Sequence, residues 1–446
     1  MTRPGRLLLL SAALLLGLVA SCAQPEARRT TAPASTHAMA PAPTAVGPAP
    51  AATAASAPSS ASAPALAAAA SGATASTAPS AVVAEGAPAA AVPPLFRRYP
   101  KLGQALPYVA LGRWPTPVQR AEALGQSLGI AQLYLKRDDL GGAPYGGNKV
   151  RKLELVLAEA KARGKQAVIT FGGVGSNHAL ATALYARRVG LHAVLWLLPE
   201  PPSAHVRHNL LGELASGAEI HLTSNDRIDA LVRQSEHGED SPGAPFVIPP
   251  GDSSLLGNVG LVNAAFELAD QIAGGQLPAP DVVYIATGTL GSAVGLAIGL
   301  QAAGLHTRVR AVRASSSKYV NEQRMQTMVQ ATVELLRARD PSFPAVKLDP
   351  ADLTIEHGYV GRGYALPTPK GTRAMELVRE LGGLELDPTY TAKTFAALID
   401  DAPRLRSEVV LFWQTYDPKP IDAAPAPTSD VPRELRGYLL DRGGSR

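Results

Sequence analysis

Residues 135–154 read LKRDDLGGAPYGGNKVRKLE, and the second half of that stretch decides how the chain is read. Gly146, Gly147 and Asn148 deliver Lys149, after which a helical pattern begins at once. Leu153, Val156, Leu157 and Ala160 share one face of that helix, and Gly164 is its stop. A lysine on a helix is ordinarily solvated. Placed by a flexible turn at a helix start, it can instead project into a cleft between domains. If desolvated or set near a cation, its pKa falls and the amine becomes a nucleophile.

The sequence around this lysine alternates strand and helix. Ala167–Phe171 (AVITF), His192–Leu198 (HAVLWLL), Glu219–Thr223, Asp281–Ala286 (DVVYIA) and Arg308–Arg313 read as strands. Ala179–Val189, Ala204–Ser216 and a segment from Ser292 read as helices. Such alternation implies α/β architecture, parallel sheets with helices on both faces. Ligands in such folds sit beyond the carboxyl ends of strands. Two glycine-rich loops occupy that position: FGGVGSNH (Phe171–His178) and ATGTLGSAVG (Ala286–Gly295). Their amides, ahead of a helix, can form an anion cradle. Neither is a dinucleotide fingerprint, because His178 takes the third glycine position of the first and the second lacks its GxG; no phosphate-binding GxxxxGK[ST] occurs. His205 and His208 lie three apart without a partnered acid, so a solvated helix face is expected there and no metal site. A lysine nucleophile with an amide-rich cradle on a parallel sheet suggests pyridoxal phosphate (PLP), one hypothesis among several.

The segment 135–154 closely resembles the active-site segment of the D-cysteine desulfhydrase and 1-aminocyclopropane-1-carboxylate (ACC) deaminase family. GVGSNHALATALYARRVGL (Gly173–Leu191), IPPGDSSLLGNVGLVNAA (Ile248–Ala265), GYVGRGYALPT (Gly358–Thr368) and LDPTYTAKTFAALID (Leu386–Asp400) resemble further family segments in the same order. The resemblance implies a two-domain PLP fold of type II, like the tryptophan synthase β chain. The expected division is a large PLP-binding domain, 95–150 with 263–446, and a small α/β domain, 151–262. It also implies roles. Lys149 would hold PLP covalently and move protons at the substrate Cα. Ser176, Asn177 and His178 match the family's SNH segment: serine approaches the substrate carboxylate and can act as a base, and asparagine contacts the PLP 3′-oxygen. Thr287, Gly288, Thr289, Leu290, Gly291 and Ser292 match the phosphate cradle, whose donors oppose the phosphate charge. Tyr364 and Tyr390 match two active-site tyrosines able to stack, orient or exchange protons. Thr391 and Thr415 fall close to where the pyridine ring is expected.

Three positions depart from the family pattern. Gly175 replaces a glutamine before SNH, Leu290 replaces a glycine of the cradle, and Tyr416-Asp417 replace two glycines after Thr415. Thr391 stands where the deaminase branch has glutamate, which disfavours opening of a cyclopropane. The expected activity is therefore a carbon–sulfur lyase: β-elimination on a small amino acid such as D-cysteine, giving pyruvate, ammonia and sulfide. A racemase or dehydratase of the same fold, an ACC deaminase-like activity and a catalytically silent amino-acid-binding lipoprotein are the alternatives. A homodimer is expected.

The remainder of the 446 residues carries location. MTRPGRLLLLSAALLLGLVASC has a basic start (Arg3, Arg6) and an apolar run from Leu7 to Val19, too short for a ~20-residue membrane crossing. It ends in Val19-Ala20-Ser21-Cys22, which resembles a bacterial lipobox. A signal peptide over 1–21 and lipidation of Cys22, the only cysteine, are expected. The protein would then be exported and anchored to the cell envelope, on the periplasmic face of the outer membrane. Residues 22–94 are almost wholly Ala, Pro, Ser, Thr and Gly, which cannot bury enough surface to offset ordering, and read as a disordered linker. Removing Arg3 and Arg6 leaves 40 basic against 37 acidic side chains, net +3. That is too mild a charge for nucleic-acid binding.

Overall fold

Strands buried on both faces need apolar residues at nearly every position. β7 (Val282–Thr287, VVYIAT) and β10 (Val409–Gln414, VVLFWQ) meet that condition, with every residue buried. In the computed structural model, which describes residues 92–238, 243–421 and 431–440, these two strands are neighbours at the centre of a six-stranded sheet. Its order is β1-β2-β10-β7-β8-β9, the others being β1 (Val118–Arg120), β2 (Gln132–Arg137), β8 (Arg308–Arg313) and β9 (Leu353–Glu356). Only β1 runs antiparallel, and Phe412 pairs with Tyr284 across the centre.

The second sheet has four parallel strands in the order β5-β4-β3-β6, from β3 (Ala167–Gly173), β4 (His192–Leu198), β5 (Glu219–Leu222) and β6 (Phe246–Val247). In β4 buried positions alternate with partly exposed ones, as period-two patterning demands. The expected signal peptide, Cys22 and residues 22–91 of the expected linker lie outside the described residues. Among the described residues no helix is long and apolar enough to cross a membrane.

Six helices place the site: α1 (Asn148–Ala162), α2 (Asn177–Arg188), α3 (Ala204–Ala215), α4 (Leu255–Ala273), α5 (Gly291–Ala302) and α6 (Thr391–Asp401). Strand and helix limits fall within two residues of those read from the sequence, since hydrophobic period and glycine stops set them locally. α1 serves both layers. Val150, Leu153, Val156 and Leu157 join the core of the four-stranded sheet, while Leu155 joins that of the six-stranded one. α4, which spans the expected boundary at Val262, packs into the latter core with α5.

A buried polar network fixes the base of α1. Arg151 Nη2 lies 2.7 Å from Asp138 Oδ1, and its Nη1 donates to Glu267 Oε2 at 2.9 Å. Lys136 Nζ donates to Glu267 Oε1 and Gln271 Oε1, each at 2.6 Å, and to the Thr116 carbonyl at 2.7 Å. Trp413 Nε1 closes the set on Asp138 Oδ2 at 2.7 Å. Burial alone would raise the Glu267 carboxyl, but Arg151 and Lys136 hold it down to about 2. Charges taken out of water this completely are tolerated only when paired.

Candidate active site

The glycine turn before Lys149 is a backbone requirement. Gly147 has φ 91° and ψ 168°, a region essentially closed to other residues, and a Cβ there would stand 2.6 Å from the Thr415 carbonyl. Gly146 N donates to Asp417 Oδ2 at 2.8 Å, and Gly147 N to the Asp138 carbonyl at 2.7 Å. Thr415 meets this turn through its carbonyl, which also accepts from Asn148 N at 3.4 Å. The Asp417 that departs from the family pattern is therefore an anchor of the turn. Lys149 follows as the second residue of α1 and is partly exposed. Burial pulls its amine down to about 8, with Asp252 opposing.

The second loop lies at the carboxyl end of β7, where α5 begins. Leu290 has φ 73° and ψ −35°, and Gly291 N donates back to the Thr289 carbonyl at 3.0 Å. That is a γ-turn of the rarer, strained hand. Leu290 takes this backbone where the family pattern has glycine, and its side chain is packed into the core, 1% exposed. Thr287 Oγ1 accepts from Leu290 N at 3.0 Å, and Ser253 Oγ donates to Thr289 Oγ1 at 2.7 Å. Asn148 Nδ2 donates to Ser292 Oγ at 2.8 Å, tying this loop to the lysine turn.

Lys152 was not singled out as a site residue from the sequence. One turn beyond Lys149, its Nζ donates to the Asp252 and Gly251 carbonyls at 2.7 and 3.2 Å, and a Cβ on Gly291 would lie 2.8 Å from it. Burial and the neighbouring Lys149 lower its pKa. Hydroxyls, a lysine ammonium and the first amides of α5, which have no intrahelical acceptors, thus converge at one helix N-terminus. This donor set fits a phosphate monoester.

Ser176 caps α2, its Oγ accepting from Ala179 N at 3.2 Å. Asn177 Oδ1 accepts from Asn209 Nδ2 at 2.9 Å; the same amide donates to the Gly175 carbonyl, so α3 holds this loop in place. His178 lies buried beneath it. Thr170 Oγ1 donates to the Ile248 carbonyl at 3.1 Å, so His178 Nε2, 2.8 Å away, must be the donor to Thr170. Burial, with Lys149 and Lys152 nearby, keeps the ring neutral. The Tyr364 and Tyr390 hydroxyls are 2.8 Å apart, and Gly288 of the second loop lies against the Tyr390 ring, where a Cβ would come within 3.0 Å. Burial raises both phenols. Thr391 Oγ1 donates to Asp387 Oδ1 at 2.7 Å, and the same carboxylate accepts the amides of Thr389, Tyr390 and Thr391 at the start of α6.

One expectation needs correction. His205 is not on a solvated face: its Nε2 is 3.0 Å from the Gly175 carbonyl and its ring meets Tyr416 edge-on at 5.4 Å. Glu200 was also missed, because only the fold brings it to Gly175. Among the described residues no cluster of His, Cys, Asp or Glu could hold a metal ion.

Residues 109–415 match the family model described as pyridoxal-phosphate dependent enzyme, and the chain belongs to that family. Pyridoxal phosphate is its cofactor. The chain is 34% identical over 325 residues to a Pyrococcus abyssi protein named putative 1-aminocyclopropane-1-carboxylate deaminase, covering 71% of this chain and 94% of that one. It is 33% identical over 299 residues to a D-cysteine desulfhydrase of Salmonella choleraesuis, covering 66% and 87%. A solved ACC deaminase homologue superposes with a TM-score of 0.62 at 29% identity, covering 74% and 96%. The fold is accordingly that of type II PLP enzymes.

Proposed function

We propose that this site performs β-elimination on a small amino acid, with D-cysteine as the type substrate. Water is consumed and pyruvate, ammonia and hydrogen sulfide are released. The observation that carries the reading is Lys149: an amine that burial lowers to about 8, set by the Gly146–Gly147 turn and tied through Asn148 to the Thr287–Ser292 loop. Thr391 supports elimination over ring-opening, since it is an uncharged hydroxyl where the deaminase branch carries a carboxyl.

In this mechanism Lys149 would be the residue that holds the cofactor. Thr287 to Ser292, with Lys152, hold its phosphate. Bound there, pyridoxal phosphate supplies the electron sink that makes the substrate Cα–H bond acidic. Lys149 Nζ would take the proton from the substrate Cα. Ser176 and Asn177, at the N-terminus of α2, hold the substrate carboxylate, where helix amides favour negative charge. Tyr364 and Tyr390 share a hydrogen bond and stay protonated, so they orient and relay protons without adding charge. The full chain, loaded with PLP, is expected to release sulfide and pyruvate from D-cysteine, and Lys149→Ala to abolish both. A protein that binds PLP yet releases neither from either enantiomer of cysteine refutes the reading.

The proposal extends to organisation and location. We infer a large domain from 95–150 and 263–446, a small domain from 151–262, and a homodimer. Cys22 is acylated, tethering the enzyme to the outer membrane on its periplasmic side. Cys22→Ser is expected to move the protein from membrane to soluble fractions; retention through a lipid-type anchor refutes this.

A further inference from the structure

Gly173 and Gly175 leave a space in the first loop, and a carboxyl from another segment fills it. Glu200 lies between the end of β4 and the start of α3. Its Oε2 accepts from Gly175 N at 3.1 Å. A Cβ on Gly173 would fall 1.4 Å from Oε1, and one on Gly175 would fall 2.9 Å from Oε2. Side chains at those two positions and the Glu200 carboxyl therefore exclude one another. Oε1 is buried and no group among the described residues hydrogen-bonds to it. A buried polar oxygen left unpaired is costly, and the partners open to it are the Tyr364 hydroxyl that faces this carboxyl and a molecule bound in the site.

The groups around this oxygen belong to the site. Tyr364 faces the Glu200 carboxyl and pairs with Tyr390, which rests on Gly288 of the cradle loop. From α3, His205 holds the Gly175 carbonyl, and Glu213 adds a second buried carboxyl. Tyr438 Oη accepts from Glu200 N at 3.3 Å. Burial lifts the Glu200 carboxyl to about 7, with Gly175 N and Tyr364 opposing. Burial raises Glu213 well above its ordinary value and lowers His205, favouring the uncharged form of each, as it does for the two phenols. Asp387, from the turn before α6, is the carboxylate that faces Tyr364, Tyr390 and His205.

We propose that Glu200 contacts the side chain of the substrate and protonates its leaving group, which extends the enzyme to β-hydroxy amino acids of the serine class. The proposal rests on the elimination reading above. A thiol leaves Cβ readily as thiolate, whereas a hydroxyl leaves only as water. In the step inferred, a base takes the Cα proton and the Cα–H electron pair becomes the Cα–Cβ double bond. The Cβ–O pair departs with oxygen, and the Glu200 proton completes the water, leaving the carboxylate. Hydrolysis of the remaining enamine gives keto acid and ammonia.

The test compares serine with cysteine in wild type and the isosteric Glu200→Gln, using the PLP-loaded full chain. Placed acids contribute about 10²–10⁴-fold; Glu200→Gln is expected to lose about that much kcat/KM on serine, and far less on cysteine. Between about pH 7 and 8, below the ~8.5 at which the thiol of cysteine itself titrates, the wild-type serine-to-cysteine ratio of kcat/KM is expected to fall toward a tenfold-per-unit slope, and in Glu200→Gln to be flat. The ratio cancels the titration of Lys149, which both substrates share. A second readout needs no turnover: the change in the cofactor absorption band on adding D-serine or D-alanine reports binding. Wild type is expected to bind D-serine more tightly, and Glu200→Gln to lose the preference. Equal losses on both substrates, or equal binding of D-serine and D-alanine by wild type, overturn the assignment. Absence of turnover with the binding preference intact would instead refute the elimination reading and leave the Glu200 contact standing.

Discussion

Replacing Gly147 by alanine tests the reasoning about the lysine turn most directly. Two separate penalties apply. At φ 91° and ψ 168° a non-glycine residue carries about 1–3 kcal/mol of backbone strain. The new Cβ would also lie 2.6 Å from the Thr415 carbonyl, and overpacking of that kind costs about 1–3 kcal/mol more. The sum, about 2–6 kcal/mol, is a large share of the ~5–15 kcal/mol typical of a folded protein. Gly164→Ala is the internal control: its φ is +67° but nothing lies within 4 Å of its Cβ, so only a backbone cost of about 1–2 kcal/mol applies. Urea unfolding followed by tryptophan fluorescence should therefore give a lower midpoint for Gly147→Ala than for Gly164→Ala. If the turn yields locally, the midpoint survives but Lys149 is displaced, and the cofactor's absorption band fails to form. A Gly147→Ala protein that matches the control in urea and loads PLP like wild type would refute the argument.

Loading should depend on pH. The neutral amine is the attacking form, so with Lys149 near 8 the rate of PLP capture by cofactor-free protein should rise about tenfold per unit below 8 and level off above it; a flat profile there would be contradictory. The buried network should give an acid-sensitive contribution to stability. Glu267 titrates near 2 in the folded chain and near ~4.3 unfolded, so its contribution is present above the unfolded value and is lost as pH falls through the folded one. Glu267→Gln should flatten that part of the stability–pH curve, and by leaving Lys136 and Arg151 short of a partner should cost about 3–5 kcal/mol at neutrality. Equal acid sensitivity of wild type and variant would remove Glu267 from this role.

What the sequence disclosed was local. The apolar run at Asp281–Ala286 announces a central strand, displaced by one residue in the fold as Val282–Thr287. The GGNK turn announces a placed lysine because glycine and helix period can both be read in a short window. What it concealed depends on chain segments far apart in sequence. Asp417 reaches Gly146 across 271 positions, and its replacement of a family glycine reads as damage until that bond is seen. Lys152 looks like helix decoration by spacing, and only the Gly251–Asp252 turn arriving from beyond β6 shows where its ammonium lies. Glu200 had no signal except the empty space at Gly173 and Gly175, which needed a partner that no motif specified. His205 followed a solvated pattern on α3, and its contact with Tyr416 is set by the C-terminal segment.

The first turn of α1 has a consequence for how this enzyme can change. Successive residues advance about 100° around a helix, and a roll of about 20° would carry a Cα, ~2.3 Å from the axis, through about 0.8 Å. Arg151 is held by Asp138 and Glu267, Lys152 by the Gly251 and Asp252 carbonyls, and the turn before them by Asp417. These attachments oppose a roll of the helix and hold the bearing of Lys149. The segment carrying Glu200 shares none of these attachments. If Glu200 contacts substrate as proposed, substitutions between Leu198 and Ala204 would alter which side chains are accepted without touching the attachments of Lys149, so substrate range would drift there while that amine stays where it is.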